Sequence, residues 1–210
     1  MATTRAKISA LGCYVPPKVI TNADLEKLVD TNDEWIRTRT GISERHVADP
    51  EVATSDLATC AAKIALTQRG IPSTDLNAII VCTVTPDMFF PSTACLVQNN
   101  LGAKGAWGFD LIAACSGFIY GLNTATSLVM SGSAKKVLVI GADTMTRILN
   151  YEDRATCVLF GDGAGAMLVE PADPGEPELG FIDFMGEVDG SGGQFLYMPA
   201  GGSRKPARNR

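Results

Sequence analysis

Short, continuously apolar segments constrain the fold of this chain more than any other feature of its sequence. Each is too uniformly apolar for a strand with one face in water, so each predicts a strand that is buried on both faces. The segments predicted as strands are residues 78–84, 107–113, 136–142 and 164–169. Helical segments lie between them, which indicates parallel pairing through right-handed crossovers and an α/β fold of layered helices and sheet.

The clearest helix is predicted for residues 55–69. Apolar side chains recur there at i, i+4, i+7 and i+8 from Leu57, which is the spacing of one helix face. Thr54 or Ser55 is expected to cap its start, and Gly70 to end it. This helix is therefore predicted to pack one apolar face against the sheet.

Segments outside this alternation have other characters. Residues 1–17 are predicted to hold a first strand, and residues 22–39 a charged helix capped by Thr21 or by its own first residue. That helix presents Trp35 among acidic and basic side chains, which favours a surface excursion. Residues 171–180 are rich in proline and glycine and predict a loop, and residues 181–188 resemble a further strand.

Composition excludes several classes of function. The formal net charge is -5, from 18 basic and 23 acidic residues, which argues against general binding of nucleic acid. No apolar stretch is near the length of about 20 residues that crosses a bilayer, and the first residues lack a secretory apolar core. These features predict a cytoplasmic protein without a membrane segment.

The six cysteines are too widely spaced for a Cys-x-x-Cys pair, so neither a zinc site nor dithiol redox chemistry is expected. Cys60, Cys82 and Cys95 lie in apolar periodic segments and are interpreted as core thiols. Cys115 is different, because a predicted strand passes there directly into a predicted apolar helix. Unpaired N–H groups and the helix macrodipole at such a start favour a thiolate. Spacing alone leaves open a second interpretation of Cys115 as another buried structural thiol.

Other catalytic patterns are weak. No serine lies in a Gly-x-Ser-x-Gly motif, which excludes a hydrolase elbow of that type. The single histidine, His46, lies in a polar segment and is interpreted as a surface or structural residue rather than a catalytic base. Residues 161–166 match a dinucleotide-binding pattern, but a strand follows them instead of a helix, so their glycines are interpreted as aids to a tight turn or close packing.

Three blocks of this sequence, in order, resemble ketoacyl-acyl-carrier-protein synthase III: residues 30–46, the Cys115 segment at 108–123, and residues 160–165. The resemblance covers nearly the whole chain. It implies a thiolase-like fold, with residues 1–170 forming the amino-terminal βαβαβαββ half of a five-layer αβαβα architecture. Residues 171–210 would then begin the connection to a second half that is largely missing, and the protein would be a homodimer.

The resemblance also implies a function. Cys115 would take an acyl group from acetyl-CoA or another short acyl-CoA, and malonyl-acyl-carrier protein would then receive it by decarboxylative condensation, starting fatty acid synthesis without a cofactor or metal. The implied coenzyme A contacts are Thr31, Trp35, Arg39 and Arg154. Phe90 would reach across the dimer to close the partner's acyl pocket. Met145 and Phe160 are predicted to line the acyl pocket of their own chain.

Two alternatives remain open at this level. The resemblance places the histidine and asparagine that support condensation beyond residue 210, so the chain is also interpretable as a truncated, catalytically incomplete fragment that binds coenzyme A or a partner chain. It is also compatible with another thiolase-fold condensing enzyme, of polyketide or hydroxymethylglutaryl-CoA type, although the block around Trp35 favours fatty-acid initiation. Product analysis with a panel of acyl-CoA primers distinguishes this last function from the initiation of fatty acid synthesis.

Overall fold

The computed structural model describes residues 5–173, 175 and 180–207. The strands in that part of the chain are β1 (Ala6–Tyr14), β2 (Lys18–Thr21), β3 (Glu44–Val47), β4 (Ala78–Cys82), β5 (Trp107–Leu111), β6 (Val137–Thr144) and β7 (Asp162–Pro171). The α-helices are α1 (Asn22–Leu25), α2 (Asp33–Thr40), α3 (Thr54–Arg69), α4 (Thr93–Leu101) and α5 (Gly117–Met130). All four apolar segments predicted as strands, the first strand and the helix at 55–69 are confirmed. The predicted burial on both faces is wrong for β5, whose residues are exposed or half-buried because it is the edge strand of its sheet. The predicted loop at 171–180 lies partly outside the described residues.

One five-stranded sheet, in the order β1-β7-β6-β4-β5, organises these elements. Strand β4 pairs in parallel with both β5 and β6, as expected, but β7 is antiparallel to β6 and to β1. The prediction of parallel pairing is therefore wrong for β7. A parallel neighbour requires a crossover, usually a helix. Residues 145–161 contain only a 3-10 turn and irregular turns, so the chain folds straight back beside β6.

The two faces of this sheet carry separate cores. Helices α3 and α4 cover one face, where Leu57 and Val97 cluster with Val81. Helix α5 lies on the other face, where Leu122 clusters with Ile80. Every residue of β4 is buried, which explains its unbroken apolar sequence.

Helix α3 lies directly on the sheet because β1 has a glycine beneath it. A Cβ atom at Gly12 would lie 2.1 Å from the carbonyl oxygen of Ala61. The predicted end at Gly70 is confirmed, with φ +72°. The predicted caps are wrong: Thr54 and Ser55 lie inside the helix, where they bond to the loop that follows β4, through Thr85 and Asp87 respectively.

The excursion at residues 22–39 contains two helices rather than the single predicted one. Thr21 caps α1, as expected, by accepting from the N–H of Asp24. Asn32 starts a new helix by accepting from the N–H of Trp35 at 2.8 Å. A second good N-cap residue inside a charged segment thus divides it into two.

The predicted strand at residues 181–188 is not formed. Apart from one bond from the N–H of Phe181 to the carbonyl of Ala6, these residues make no ladder with a described strand. Ile182 and Val188 are each 90% exposed. Local sequence alone cannot form a strand without a neighbour to pair with. Separately, none of the helices in the described part of the chain is long and apolar enough to cross a membrane.

Candidate active site

The first part of the site is the cysteine turn, defined as residues 113–117, which joins β5 to α5. Cys115 is exposed and lies in a 3-10 turn, Ala114–Ser116. The N–H of Ser116 donates to the carbonyl of Ala113 at 3.1 Å, and α5 begins at Gly117. The prediction that Cys115 lies between strand and helix is confirmed, and its exposure contradicts the alternative of a buried structural thiol.

The cysteine turn has a strained backbone. Ala114, directly before Cys115, has φ +47°, a region in which residues other than glycine are uncommon. Such conformations cost about 1 kcal/mol or more and occur where the surrounding structure determines them, often at functional sites. The effect of this turn is to leave the Cys115 side chain on the surface at the start of a helix.

Helix α5 is held close to the sheet behind this turn. A Cβ atom at Gly121 would lie 2.5 Å from Cys82 Sγ and 3.0 Å from a methyl group of Val139. Glycine at this position therefore lets α5 approach β4 and β6 more closely than any other residue would. The position of the start of α5, and with it of Cys115, depends on this contact.

The other cysteines differ from Cys115 in their surroundings. Cys82 is buried, as predicted, and burial raises the pKa of its thiol to about 12, with a smaller contribution from nearby Asp110 and Asp143. Cys60 is half-buried. Cys95 is exposed, so its interpretation as a core thiol is wrong. It lies on the outward side of α4, because the apolar face of that helix is formed by Ala94 and Val97 instead.

The second part of the site is the arginine–tryptophan cluster, defined as Trp35, Arg39 and Arg154. The guanidinium carbon of Arg39 lies 4.5 Å from the centroid of the Trp35 ring, and that of Arg154 lies 4.7 Å from it. Guanidinium groups at this distance are attracted by the π-electrons of indole. Residues far apart in sequence thus form one basic and aromatic surface, suited to a flat base with phosphate groups.

Thr31 lies between α1 and α2, directly before Asn32, the N-cap residue of α2. Its hydroxyl oxygen is buried and has no hydrogen-bond partner within the described part of the chain. A buried hydroxyl without a partner costs free energy, so this oxygen lacks a bond that buried polar groups normally make. The predicted contact of Thr31 with coenzyme A stays a prediction. Close by in sequence, Asp30 forms an ion pair of 3.6 Å with Arg154.

The remaining predicted residues are dispersed. Phe90 is 85% exposed in the loop before α4. Met145 lies half-buried in the 3-10 turn after β6, and Phe160 lies half-buried before β7. An open apolar groove beside α5 is lined instead by other residues, including Leu11, Cys13, Phe118 and Met167. The acyl-pocket roles of these three residues stay predictions.

His46 and the glycine-rich segment have structural roles. His46 is half-buried and its Nδ1 atom lies 2.6 Å from the carbonyl oxygen of Pro16, consistent with its structural interpretation. A Cβ atom at Gly161 would lie 2.9 Å from the carbonyl oxygen of His46, so this glycine allows β3 and the start of β7 to pack closely. Asp162 then bonds to the N–H groups of Ala48 and Thr146.

The burial of two polar residues near this site was not predicted from the sequence. Arg45 is only 5% exposed and bonds to the carbonyl of Val158, and Asn22 is only 2% exposed and bonds to Asp33 of α2. Arginine in a short polar segment ordinarily predicts a solvated side chain, so no local signal identifies its burial. Among the described residues, no group of three His, Cys, Asp or Glu side chains could hold a metal ion.

Comparisons with known proteins agree with this geometry. The family model of 3-oxoacyl-acyl-carrier-protein synthase III matches residues 109–190, which include the cysteine turn. A beta-ketoacyl-acyl-carrier-protein synthase III of Solibacter usitatus is 72% identical over 97% of this chain and 61% of its own length. The chain therefore spans about three fifths of such curated relatives.

Solved structures give the same result for the fold. The crystal structure of 3-oxoacyl-acyl-carrier-protein synthase III from Aquifex aeolicus is 55% identical with a TM-score of 0.78, covering 80% of this chain and 54% of that one. The corresponding enzyme of Thermus thermophilus is 48% identical with a TM-score of 0.86, covering 91% and 58%. The described residues thus have the amino-terminal half of a thiolase-like fold.

Proposed function

Because the chain belongs to the 3-oxoacyl-acyl-carrier-protein synthase III family, we propose that Cys115 accepts an acyl group from acetyl-CoA or another short acyl-CoA. The observation that carries this proposal is an exposed cysteine in a strained turn at the start of α5. The exposed thiolate attacks the thioester carbonyl, and its sulfur forms a bond to the acyl carbon. The bond from that carbon to the coenzyme A sulfur then breaks, and the coenzyme A thiolate takes up the proton that Cys115 released.

The arginine–tryptophan cluster supports coenzyme A as the donor. Trp35 offers a flat surface to adenine, and Arg39 and Arg154 offer positive charge to phosphates. The hydroxyl of Thr31, which has no partner among the described residues, is proposed to bond to the adenine. Because the net charge of the chain is negative, a local cluster of arginines is what an anionic ligand requires. Together these groups bind the nucleotide end of the donor while the thioester reaches Cys115.

In the whole protein, the acylated Cys115 then condenses with malonyl-acyl-carrier protein, with loss of carbon dioxide, to start fatty acid synthesis in the cytoplasm. The only histidine of the chain, His46, lies against Pro16, and condensation in the resembled family uses a histidine and an asparagine from its second half. We therefore expect the 210-residue chain to be acylated but to form no ketoacyl product by itself.

A homodimer is proposed for the same protein. Strand β5 is an edge strand that pairs only with β4 within the described sheet, and Trp107 on it is 49% exposed. Phe89 and Phe90 are also exposed in a nearby loop, at 80% and 85%. Unpaired strand edges and exposed aromatic side chains are typical of surfaces that associate.

Mass spectrometry after incubation of the chain with acetyl-CoA tests the first step. We expect one acetyl group on Cys115, released by hydroxylamine, and none on a Cys115→Ala variant. Unmodified Cys115 in a chain that still binds coenzyme A would instead support the alternative of a binding fragment. Acylation by a panel of longer and branched acyl-CoA donors in place of acetyl-CoA would support a different thiolase-fold enzyme.

A further inference from the structure

Arg45 occupies a position that its charge does not explain. Its side chain is 5% exposed, on the two-stranded sheet of β2 and β3, where it pairs with Ile20. Its Nε atom donates to the carbonyl of Val158 at 3.0 Å, Nη2 donates to the same carbonyl, and Nη1 donates to the side-chain oxygen of Asn22. Both acceptors are neutral.

A buried guanidinium without a carboxylate is costly. No Asp or Glu among the described residues lies within ion-pair distance of Arg45, and burial lowers its pKa. A guanidinium nevertheless keeps its charge in proteins. Even a paired buried charge contributes little net stability to the fold. The role of Arg45 is therefore geometric, because its rigid planar guanidinium holds two acceptors at a fixed separation.

One of these acceptors belongs to the segment that carries Arg154. Val158 is fully buried and follows Arg154 by one short turn, in which the N–H of Cys157 donates to the carbonyl of Asp153. The adjoining Gly161 would place a Cβ atom 3.1 Å from the Cβ of Arg45, so this segment packs tightly on β3. Through its bonds to Val158, Arg45 thus fixes the position of the segment that carries Arg154.

The other acceptor leads to Trp35. The side-chain amide of Asn22 donates to Asp33 at 2.7 Å and to the carbonyl of Ile42 at 2.9 Å. Asp33 is the first residue of α2, and Ile42 follows the last turn of that helix. Asn22 is therefore hydrogen-bonded to both ends of α2, the helix that carries Trp35 and Arg39.

We propose that Arg45, acting through Asn22, is a positioning residue that sets the spacing between Trp35 and Arg154 and so determines recognition of the nucleotide end of coenzyme A. This inference rests on the proposed function. The side-chain bonds of Arg45 go to Val158 and Asn22, and none goes to Cys115. Its loss should therefore affect only donors that carry the nucleotide.

The test compares acetyl-CoA with acetyl-pantetheine, which has the same thioester and arm but lacks the nucleotide, as donors for acylation of Cys115. For Arg45→Met we expect the acetyl-CoA concentration at half-maximal rate to rise about tenfold, while the maximal rate and the reaction with acetyl-pantetheine stay within about twofold. Arg45→Lys keeps the charge but not the fork, so it should show a smaller rise in the same direction.

Two further variants complete the design. Asn22→Ala breaks the link to α2 while leaving the bonds of Arg45 to Val158, so it should reproduce the selective loss even if Arg45→Met folds poorly. Arg69→Met is the matched control. Arg69 is the last residue of α3, and it pairs with Glu170 of β7, away from the cluster. It should leave both donors unaffected.

The outcomes separate this inference from the proposed function. Equal losses with both donors, or no loss in Arg45→Met and Asn22→Ala, would overturn the positioning role while acylation of Cys115 stands. Failure of the unaltered chain to become acylated by either donor would overturn the proposed function. In that case calorimetric binding of coenzyme A still decides the inference: unchanged affinity in Arg45→Met, or no binding to the unaltered chain, would reject it.

Discussion

The cysteine turn and the arginine–tryptophan cluster are built in opposite ways. The cysteine turn comes from one continuous segment, in which β5, a strained turn and α5 follow each other directly. The cluster joins α2 to a segment more than a hundred residues later, and Arg45 bonds across that separation to Val158. A reactive group can thus be prepared by local backbone geometry, whereas a surface for a large ligand needs distant segments brought together.

The two regions also differ in how they are attached to the rest of the fold. Behind the cysteine turn, α5 packs on the main sheet through Gly121 and the core around Ile80 and Leu122. The cluster rests on a small separate core that includes Leu25, Ile36 and Val158. Changes near the cysteine turn should therefore affect stability as well as chemistry, while changes in the cluster should affect ligand affinity more than stability.

The largest expected effect is the loss of the nucleophile. Cys115→Ala should reduce transfer of the acetyl group to the protein by at least about a thousandfold, because the attacking sulfur is removed. Binding of coenzyme A, measured by calorimetry, should change by less than about twofold, since the cluster is untouched. Cys95→Ala removes another exposed thiol and serves as the control. Comparable acetylation of the Cys115→Ala and Cys95→Ala variants would contradict this separation of roles.

The contact behind the turn gives the next largest effect. Gly121→Ala places a methyl group 2.5 Å from Cys82 Sγ and should lower the free energy of unfolding by about 2 kcal/mol, measured by urea denaturation. It should also slow acylation, because the start of α5 is displaced. The double variant Cys82→Ala with Gly121→Ala removes the obstructing sulfur and should recover part of both losses. Additive losses in the double variant would show that this contact does not position the helix.

A smaller effect is expected from the cluster. Trp35→Ala removes the ring on which both guanidinium groups rest, and should weaken binding of coenzyme A by about tenfold. The free energy of unfolding should fall by no more than about 1 kcal/mol, because the half-buried ring packs on the small core around Leu25 and Ile36 rather than on the main sheet. Trp107→Phe, at the other tryptophan, is the control and should leave the affinity unchanged. A loss of stability as large as that of Gly121→Ala would contradict the contrast between the two regions.

The smallest effect is the dependence of stability on pH that Cys82 contributes on the cysteine-turn side. The pKa of Cys82 is about 12 in the folded protein, against an ordinary value of 9.0 for a thiol. Between these values the unfolded chain loses the proton first, so the free energy of unfolding should fall as pH rises, by about 1 kcal/mol at pH 10. The Cys82→Ala variant should show a shallower decline in the same urea titrations. Parallel declines in the two proteins would exclude Cys82 as the cause.

Part of the site could be predicted from the sequence because it depends on patterns of neighbouring residues. The apolar segments identified β4 to β7, and the junction at Cys115 was evident from a strand passing directly into a helix. The family resemblance then indicated Trp35, Arg39 and Arg154, although no spacing in the chain relates Arg154 to the other two. The strain at Ala114 was not predictable, because it is a property of backbone conformation rather than of residue type.

By itself, the sequence determined which segments form the strands β4 to β7, where α3 ends and where the thiol lies relative to α5, since each depends on the periodicity or junction of neighbouring residues. Only the tertiary structure decided that β7 runs antiparallel, that residues 181–188 form no strand, and that Arg45 is buried between the two sides of the cluster. These outcomes depend on which distant segments become neighbours. Residues close together in the chain carry no information about that.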